Sequence, residues 1–160
     1  MSDIPQFAAY AAAFEKAFES DDWSSLEEFF SEDAVYEIGL PILGAERCTN
    51  RDEIFAWFKD VLDRFDRRFG SRTLELLEGP KEENGTVWIR GSATYRAEGV
   101  PDFVLILEES IRFEDGRIVH LEDHYSDEMV AETERFLAEH AAGLGIDLSS
   151  DLSFAVCADD

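Results

Sequence analysis

FVLILEESIRF, residues 103–113, runs through the turn EDG, residues 114–116, into RIVHLEDHY, residues 117–125. Phe103, Leu105, Leu107, Ile111 and Phe113 fall on one parity, and Glu109 falls with them. After the turn, Val119, Leu121 and Tyr125 share a parity, and Asp123 falls with those. Successive strand side chains point to opposite faces, so this period of two describes a hairpin with one apolar face. Both carboxylates point into that face. A buried charge without a partner is costly, and such a group either pairs or shifts its pKa. Paired inward carboxylates beside an apolar cavity are a means of moving protons.

Working outward, the same period extends upstream. Arg72 to Leu77 and Thr86 to Arg96 read as two further strands, with Asn84-Gly85 and Gly99 marking turns, so four strands form an antiparallel meander. Before residue 70 the period is 3.6. Phe7, Tyr10, Ala11, Phe14, Ala17 and Phe18 make one stripe of a helix over about residues 5 to 20, with Pro5 in its first turn. Ser20-Asp21-Asp22 breaks it and caps a short second helix, Trp23 to Phe30, before a short strand from Ala34 to Ile38. Asn50 and Glu53 resemble a capping box opening a third helix, whose stripe is Ile54, Trp57, Phe58, Val61, Leu62 and Phe65 and whose end falls near Phe69-Gly70. The segment between, residues 39–50, is too apolar for an exposed loop and is expected to fold over something. Ser126-Asp127-Glu128 starts a last helix to about Gly143.

Helices followed by a curved antiparallel sheet make an α+β domain. Three N-terminal helices cover one face of the sheet, a C-terminal helix is added, and the concave side closes over a pocket in a cone-like barrel. Residues 1–143 form this one domain and 144–160 a tail, in which Phe154 and Val156 are expected to dock as an added edge or lid.

Bulk properties exclude several functions. At 160 residues with 45% apolar content the chain can bury a core. The formal charge is −23, with 37 acidic residues against 14 basic ones and lysine only at Lys16, Lys59 and Lys81. Such a surface repels phosphate backbones and anionic lipid, so neither nucleic acid nor membrane is expected as a partner. The start lacks the basic and apolar regions of a secretory leader, so a cytoplasmic location is expected. Cys48 and Cys157 have no metal-type spacing and are expected as reduced thiols, Cys48 as a small buried one.

The phrases from Asp22-Trp23 through Phe30-Ser31-Glu32-Asp33-Ala34-Val35-Tyr36, then Arg51-Asp52-Glu53-Ile54, then Phe113-Glu114-Asp115-Gly116-Arg117-Ile118, carry a resemblance to the SnoaL-like branch of the nuclear-transport-factor-2-like superfamily. It spans about residues 7 to 130 and implies the same cone-shaped fold. Its members include isomerases, dehydratases, polyketide-cyclase-like enzymes, epoxide hydrolases and non-catalytic binding modules, so the fold does not choose among them. Against ketosteroid isomerases, the helix tyrosine falls at Phe14 and the base near Ile38, and only the oxyanion-side acid is matched, by Glu109. Against limonene-epoxide-hydrolase-like enzymes, Tyr36 and Asp123 match, while Ile38 replaces an asparagine and Arg90-x-Ser92 lacks one acid. SnoaL-like cyclases imply an acid-base aspartate late in the sheet, a role open to Asp123.

The candidate catalytic set is therefore Asp123, Glu109 and Tyr36, with Asp123 exchanging the proton, Glu109 as its partner and Tyr36 orienting the substrate. The bland alternative pairs either acid with a buried arginine such as Arg90 or Arg112. Tyr10, Phe14, Ile38 and Leu40 are read as pocket wall or core, together with Trp57, Phe58, Leu105, Leu107 and Tyr125. His120, Glu122 and His124 alternate on the outer face and superficially resemble a metal triplet, but no fourth ligand is apparent and no metal or organic cofactor is expected. Trp88, outward with Arg90 and Ser92, points to a homodimer through the outer sheet face. The expected function is acid-base chemistry on a small hydrophobic molecule bearing a carbonyl or hydroxyl. The rival is a binding module using the same pocket.

Overall fold

The computed structural model describes residues 2–149. Both hairpin turns form through left-handed residues, Asn84 (φ 53°) with Gly85 (φ 78°) and Asp115 (φ 52°) with Gly116 (φ 77°). Two consecutive positive φ angles match the right-handed twist of the flanking strands. These turns join β3 (Ser71–Glu83) to β4 (Thr86–Arg96) and β5 (Phe103–Glu114) to β6 (Arg117–His124). β1 (Phe30–Ile38) and the two-residue β2 (Arg47–Cys48) complete one open, six-stranded sheet in the order β2-β1-β6-β5-β4-β3. All neighbours are antiparallel except β1 and β6, which run parallel.

The hairpin register sets Glu109 opposite Asp123, as the parity requires. One detail differs. A bulge separates the Arg112–His120 and Phe113–Ile118 pairs, so Ile118 and Leu121, not Val119 and Leu121, are the buried residues there. The extra residue, Val119, shifts the pairing by one: a regular continuation from the turn would set Glu109 opposite Glu122, and the bulge brings Asp123 there instead.

α1 (Ile4–Ser20) buries Tyr10 and Ala17 and ends where Asp21 turns left-handed (φ 59°). A 3₁₀ helix, Trp23–Phe29, follows, capped by Asp22 through the Ser24 amide. The third helix, α2 (Arg51–Arg64), opens on the Asn50 side chain, which accepts from Glu53 N at 2.9 Å. The reciprocal bond runs from Thr49 N, not Asn50 N, to Glu53 Oε1 at 2.9 Å. α2 stops at Arg64, earlier than its apolar stripe implies, and a 3₁₀ turn, Asp66–Arg68, carries the chain on. Together these helices cover the concave face of the sheet.

β1 begins at Phe30, four residues before the expected start, because Phe30 pairs with Ile118. β3 runs past Leu77 to Glu83, through Gly79-Pro80. β3 is an edge strand and its register shifts between Glu78 and Lys81, so a residue without an amide hydrogen is tolerated. The apolar loop folds inward with Leu40 and Leu43 buried. Cys48 is a free, buried thiol, which burial and then the Glu53 charge push up to about 12.

α3 (Asp127–Leu144) is capped by Ser126 and ends at left-handed Gly145. β6 pairs with β5 only from Glu108 onward, and Met129 of α3 takes the Ile106 amide at 3.3 Å beyond that point. Asp147 O then accepts from Arg64 Nη1 at 3.1 Å, which ties the chain after α3 to the end of α2. Phe154 and Val156, expected as an edge or lid, lie outside the described residues. No helix among those residues is long and apolar enough to cross a membrane.

Candidate active-site cavity

Strand register assembles the inner face in transverse rows. One row is Ile38, Asp123, Glu109 and Ile89, from β1, β6, β5 and β4 in turn. The next row on one side carries Tyr36 beside Leu121. On the other side come Leu107, Gly91 and Leu76, then Leu105, Ala93 and Leu74. Over these rows lies a cavity of about 640 Å³, within the range of small-molecule sites. Leu74 and Leu76 line it while remaining 49% and 54% exposed, so it opens to solvent along β3, beneath α1.

The twelve residues read from the sequence as site or wall all line this one cavity. Tyr36, Ile38, Leu105, Leu107, Glu109 and Asp123 rise from the sheet, with Tyr125 just past β6. Tyr10 and Phe14 descend from α1, Trp57 and Phe58 from α2, and Leu40 from the inward loop. Tyr10, Phe14, Phe30, Tyr36 and Phe58 form a continuous aromatic wall, with ring centroids 5.1–6.3 Å apart.

Tyr36 Oη donates to Asp123 Oδ2. Its hydroxyl proton is directed at the carboxylate, whereas the sequence reading gave Tyr36 the orienting of the substrate. Tyr10 and Tyr125 also line the cavity, and their hydroxyls bond to no group among the described residues. Gly39 lets β1 approach this point: a Cβ there would lie 2.6 Å from the Asp123 carbonyl oxygen.

The electrostatics divide the two acids. Burial raises Glu109 well above the ordinary carboxylate range, and the Asp123 charge and the hydrogen bond to Asp123 raise it further. Burial raises Asp123 too, but hydrogen bonds from Glu109 and Tyr36 pull it back. Glu109 therefore keeps its proton longer than Asp123. Asp123 Oδ1 is buried and receives no donor from the described residues when both acids are ionised. Glu109, directly across the strand pair, can supply one only when it carries a proton. Neither Arg90 nor Arg112 neutralises the pair: both are exposed, and Arg112 faces Glu114 at 3.7 Å.

The sequence reading missed a second polar group in the same cavity. Tyr95 Oη donates to Asp66 Oδ2 at 3.1 Å, and Arg72 Nε lies 3.0 Å from the same oxygen. Arg72 Nη1 donates to Glu15 Oε1 at 2.8 Å, and its guanidinium stacks 4.7 Å over Phe18. Burial pushes Asp66 up to about 6, against the opposing pull of Arg72 and Tyr95. Arg72 Nε is buried and poorly aimed at Asp66, so its N–H has no acceptor among the described residues.

On the outer face the register pairs Glu37 with Glu122, and His120 Nε2 lies 2.7 Å from Glu37 Oε2. Three ligand atoms of Glu37, His120 and Glu122 fall within 4.8 Å of one another. The expected triplet is thus altered: Glu37 joins it through the neighbouring strand, and exposed His124 stands apart. Burial would raise Glu37, but hydrogen bonds from His120 and Glu122 and the charges of His120 and Arg47 hold it below the ordinary range. The His120–Glu37 hydrogen bond accounts for the closeness of those two groups.

The fold, an open curved sheet with helices over its concave face, is shared with nuclear-transport-factor-2-like proteins. Residues 10–121 match the SnoaL-like domain, and the chain belongs to that family. Among solved structures it is similar to Bal32a from a soil-derived mobile gene cassette, with 23% identity, TM-score 0.64, 84% of this chain and 98% of that one covered. It is also similar to TerC co-crystallised with polyporic acid (14% identity, TM-score 0.62, 85% and 98% covered). A third is a putative polyketide cyclase from Sinorhizobium meliloti (24%, TM-score 0.54, 72% and 94%). None of the curated proteins compared with the chain matches it.

Proposed function

We propose that this protein carries out acid-base chemistry, without metal or organic cofactor, on a small hydrophobic molecule bearing a carbonyl or hydroxyl. The observation that carries this reading is the Glu109–Asp123 pair, set face to face by strand register inside an apolar cavity, with no basic side chain of the described residues paired to either. Two such acids share a proton, and their environments separate an acid from a base. Asp123, ionised first, takes a proton from a carbon next to a carbonyl, or from water. The C–H electron pair then moves toward the carbonyl oxygen, and neutral Glu109 gives its proton there. Tyr36 holds Asp123 in place and keeps it the more acidic of the two. Tyr10 and Tyr125, whose hydroxyls have no partner among the described residues, orient the substrate oxygen. Isomerisation, dehydration, aldol-type cyclisation and hydrolysis can each start from this step. The putative polyketide cyclase and the polyporic acid complex are in keeping with a small-molecule cavity, but at 24% and 14% identity they speak to fold, and the chemistry rests on the two acids.

The test is a carboxyl NMR titration, with Asp123→Asn and Glu109→Gln assigning the two signals. The expected result is at least one group titrating well above the ordinary range near 4. Deuterium exchange next to the carbonyl of a hydrophobic ketone probe, 2-tetralone, should then be accelerated by the protein and fall roughly 100-fold or more in Asp123→Asn. Ordinary titration of both acids with no exchange would leave a binding module of the same fold.

A further inference from the structure

The cavity has two polar ends. At one, Ile89 stands opposite Glu109, which stands opposite Asp123. At the other, Tyr95 stands between Arg72 and Phe103, and Asp66 reaches in from the turn after α2. Ile89 and Tyr95 lie six residues apart on β4, about 20 Å along the strand. The inner-face rows between them are Leu76–Gly91–Leu107 and Leu74–Ala93–Leu105, which hold no polar side chain. Gly91 adds no side chain at all, so the floor is lowest midway. Tyr125 also lines the cavity, just past the end of β6.

The polarity of the second end selects what it can hold. Tyr95 donates, Asp66 accepts, and a group that does both can enter between them. An anion is disfavoured, because Glu15, Asp66, Glu109 and Asp123 line the cavity against the single guanidinium of Arg72. The sheet floor between the ends, Leu76–Gly91–Leu107 and Leu74–Ala93–Leu105, offers only apolar contact.

We infer that the molecule this cavity takes is neutral, elongated and polar at both ends, with a terminal hydroxyl, phenol or enol held by Asp66 and Tyr95 at the end away from Asp123. This rests on the proposed function for the choice of cavity and adds the second end of its substrate. Asp66 and Tyr95 are then specificity-determining residues that act on binding and hold the reacting carbon in reach of Asp123.

The test uses the full chain and two probe pairs, 4-hydroxybiphenyl with 4,4′-dihydroxybiphenyl, and 4-hydroxystilbene with 4,4′-dihydroxystilbene. Within each pair the probes differ by one terminal hydroxyl, and the pairs differ in length. Binding is read by calorimetry and by quenching of tryptophan emission, Trp57 being in the cavity wall. For at least one length the diol should bind roughly tenfold tighter than its partner. Tyr95→Phe and Asp66→Asn should each bring that ratio toward one. Loss of the ratio in either supports the inference, and if Asp66→Asn does not fold, Tyr95→Phe, which keeps its shape, decides alone. A ratio near one in the wild type at both lengths, no binding of any probe, or a ratio that survives every folded variant would overturn it. The acid-base reading fails separately. If Asp123 and Glu109 titrate normally while Tyr95→Phe abolishes the ratio, the second end stands without the chemistry. If the ratio is one while the pair titrates high, the chemistry stands without the second end.

Discussion

Glu109 illustrates how one buried carboxyl links stability to pH. Its folded pKa lies above its unfolded value near 4.3, so the folded chain holds a proton that the unfolded chain has released. The stability this provides is complete below about pH 4 and is lost as pH rises toward the folded value. Asp66 acts with the same sign between about 4 and its folded value of about 6. Glu109→Gln keeps a donor for Asp123 and does not titrate. Its urea midpoint should exceed that of the wild type at pH 8 and approach it at pH 4, with proton-transfer activity lost. Parallel curves across that range would mean that Glu109 ionises in the fold without cost. The face of each acid was legible in the sequence from the period of two, but their register was not: carried on regularly from the Asp115-Gly116 turn, the pairing would set Glu109 opposite Glu122, and the bulge after Ile118 shifts it by one so that Asp123 stands there. Asp66, Arg72 and Tyr95 were not legible as a group. Asp66 sits in a single 3₁₀ turn, where the helical period has ended and no alternation assigns a face. Tyr95 reads like any inward aromatic, and only the contact between α1, the turn after α2 and β3 brings the three together.

At the scale of elements, local signals gave the helices and hairpins, and pairing partners were the missing information. The caps at Asp22, Asn50 and Ser126 and the turns at Asn84-Gly85 and Asp115-Gly116 all act within four residues, which is why they can be read in one dimension. The parallel seam between β1 and β6 joins residues 85 or more apart, such as Ile38 and Asp123, and nothing local announces it. The early start of β1 and the passage of β3 through Pro80 follow from the same cause, since each is set by a neighbouring strand. Gly39 is the residue that lets the seam close. In Gly39→Ala the new Cβ would meet the Asp123 carbonyl oxygen at 2.6 Å, and backbone cannot give way as a side chain can. The variant should lose about 1–3 kcal/mol in urea unfolding. It should also loosen the Tyr36–Asp123 hydrogen bond, which helps hold Asp123 down, so the Asp123 carboxyl signal should move to higher pH. Wild-type stability and an unmoved signal would show that the seam tolerates a wider spacing.

At the scale of the molecule, the inside and the surface respond to different variables. With 37 acidic residues and 14 basic ones, even complete pairing leaves 23 uncompensated negative charges, and they repel one another in the folded state. Salt weakens this repulsion, and it also weakens the exposed ion pairs, such as Lys59 with Asp21 and Arg96 with Asp102. Exposed pairs contribute about 0–1 kcal/mol each and are few beside the unpaired acids, so the repulsion decides the sign. The screening length falls from about 30 Å at 0.01 M to about 3 Å at 1 M, from longer than the molecule's radius to less than the spacing of most surface charges. Melting temperature should therefore rise with sodium chloride over that range, by roughly 3–10 °C for a gain of about 1–3 kcal/mol. The buried sets, Glu109 with Asp123 and Asp66 with Arg72, lie where salt reaches them little, so their titrations should stay nearly fixed across the same series. If the chain pairs through its outer sheet face, as the sequence reading expects, the pairing brings two such charges together, and sedimentation should shift toward dimer as salt is added. A melting temperature that falls with salt would mean that surface ion pairs outweigh the net repulsion, and that the acidic surface is organised and not merely unpaired.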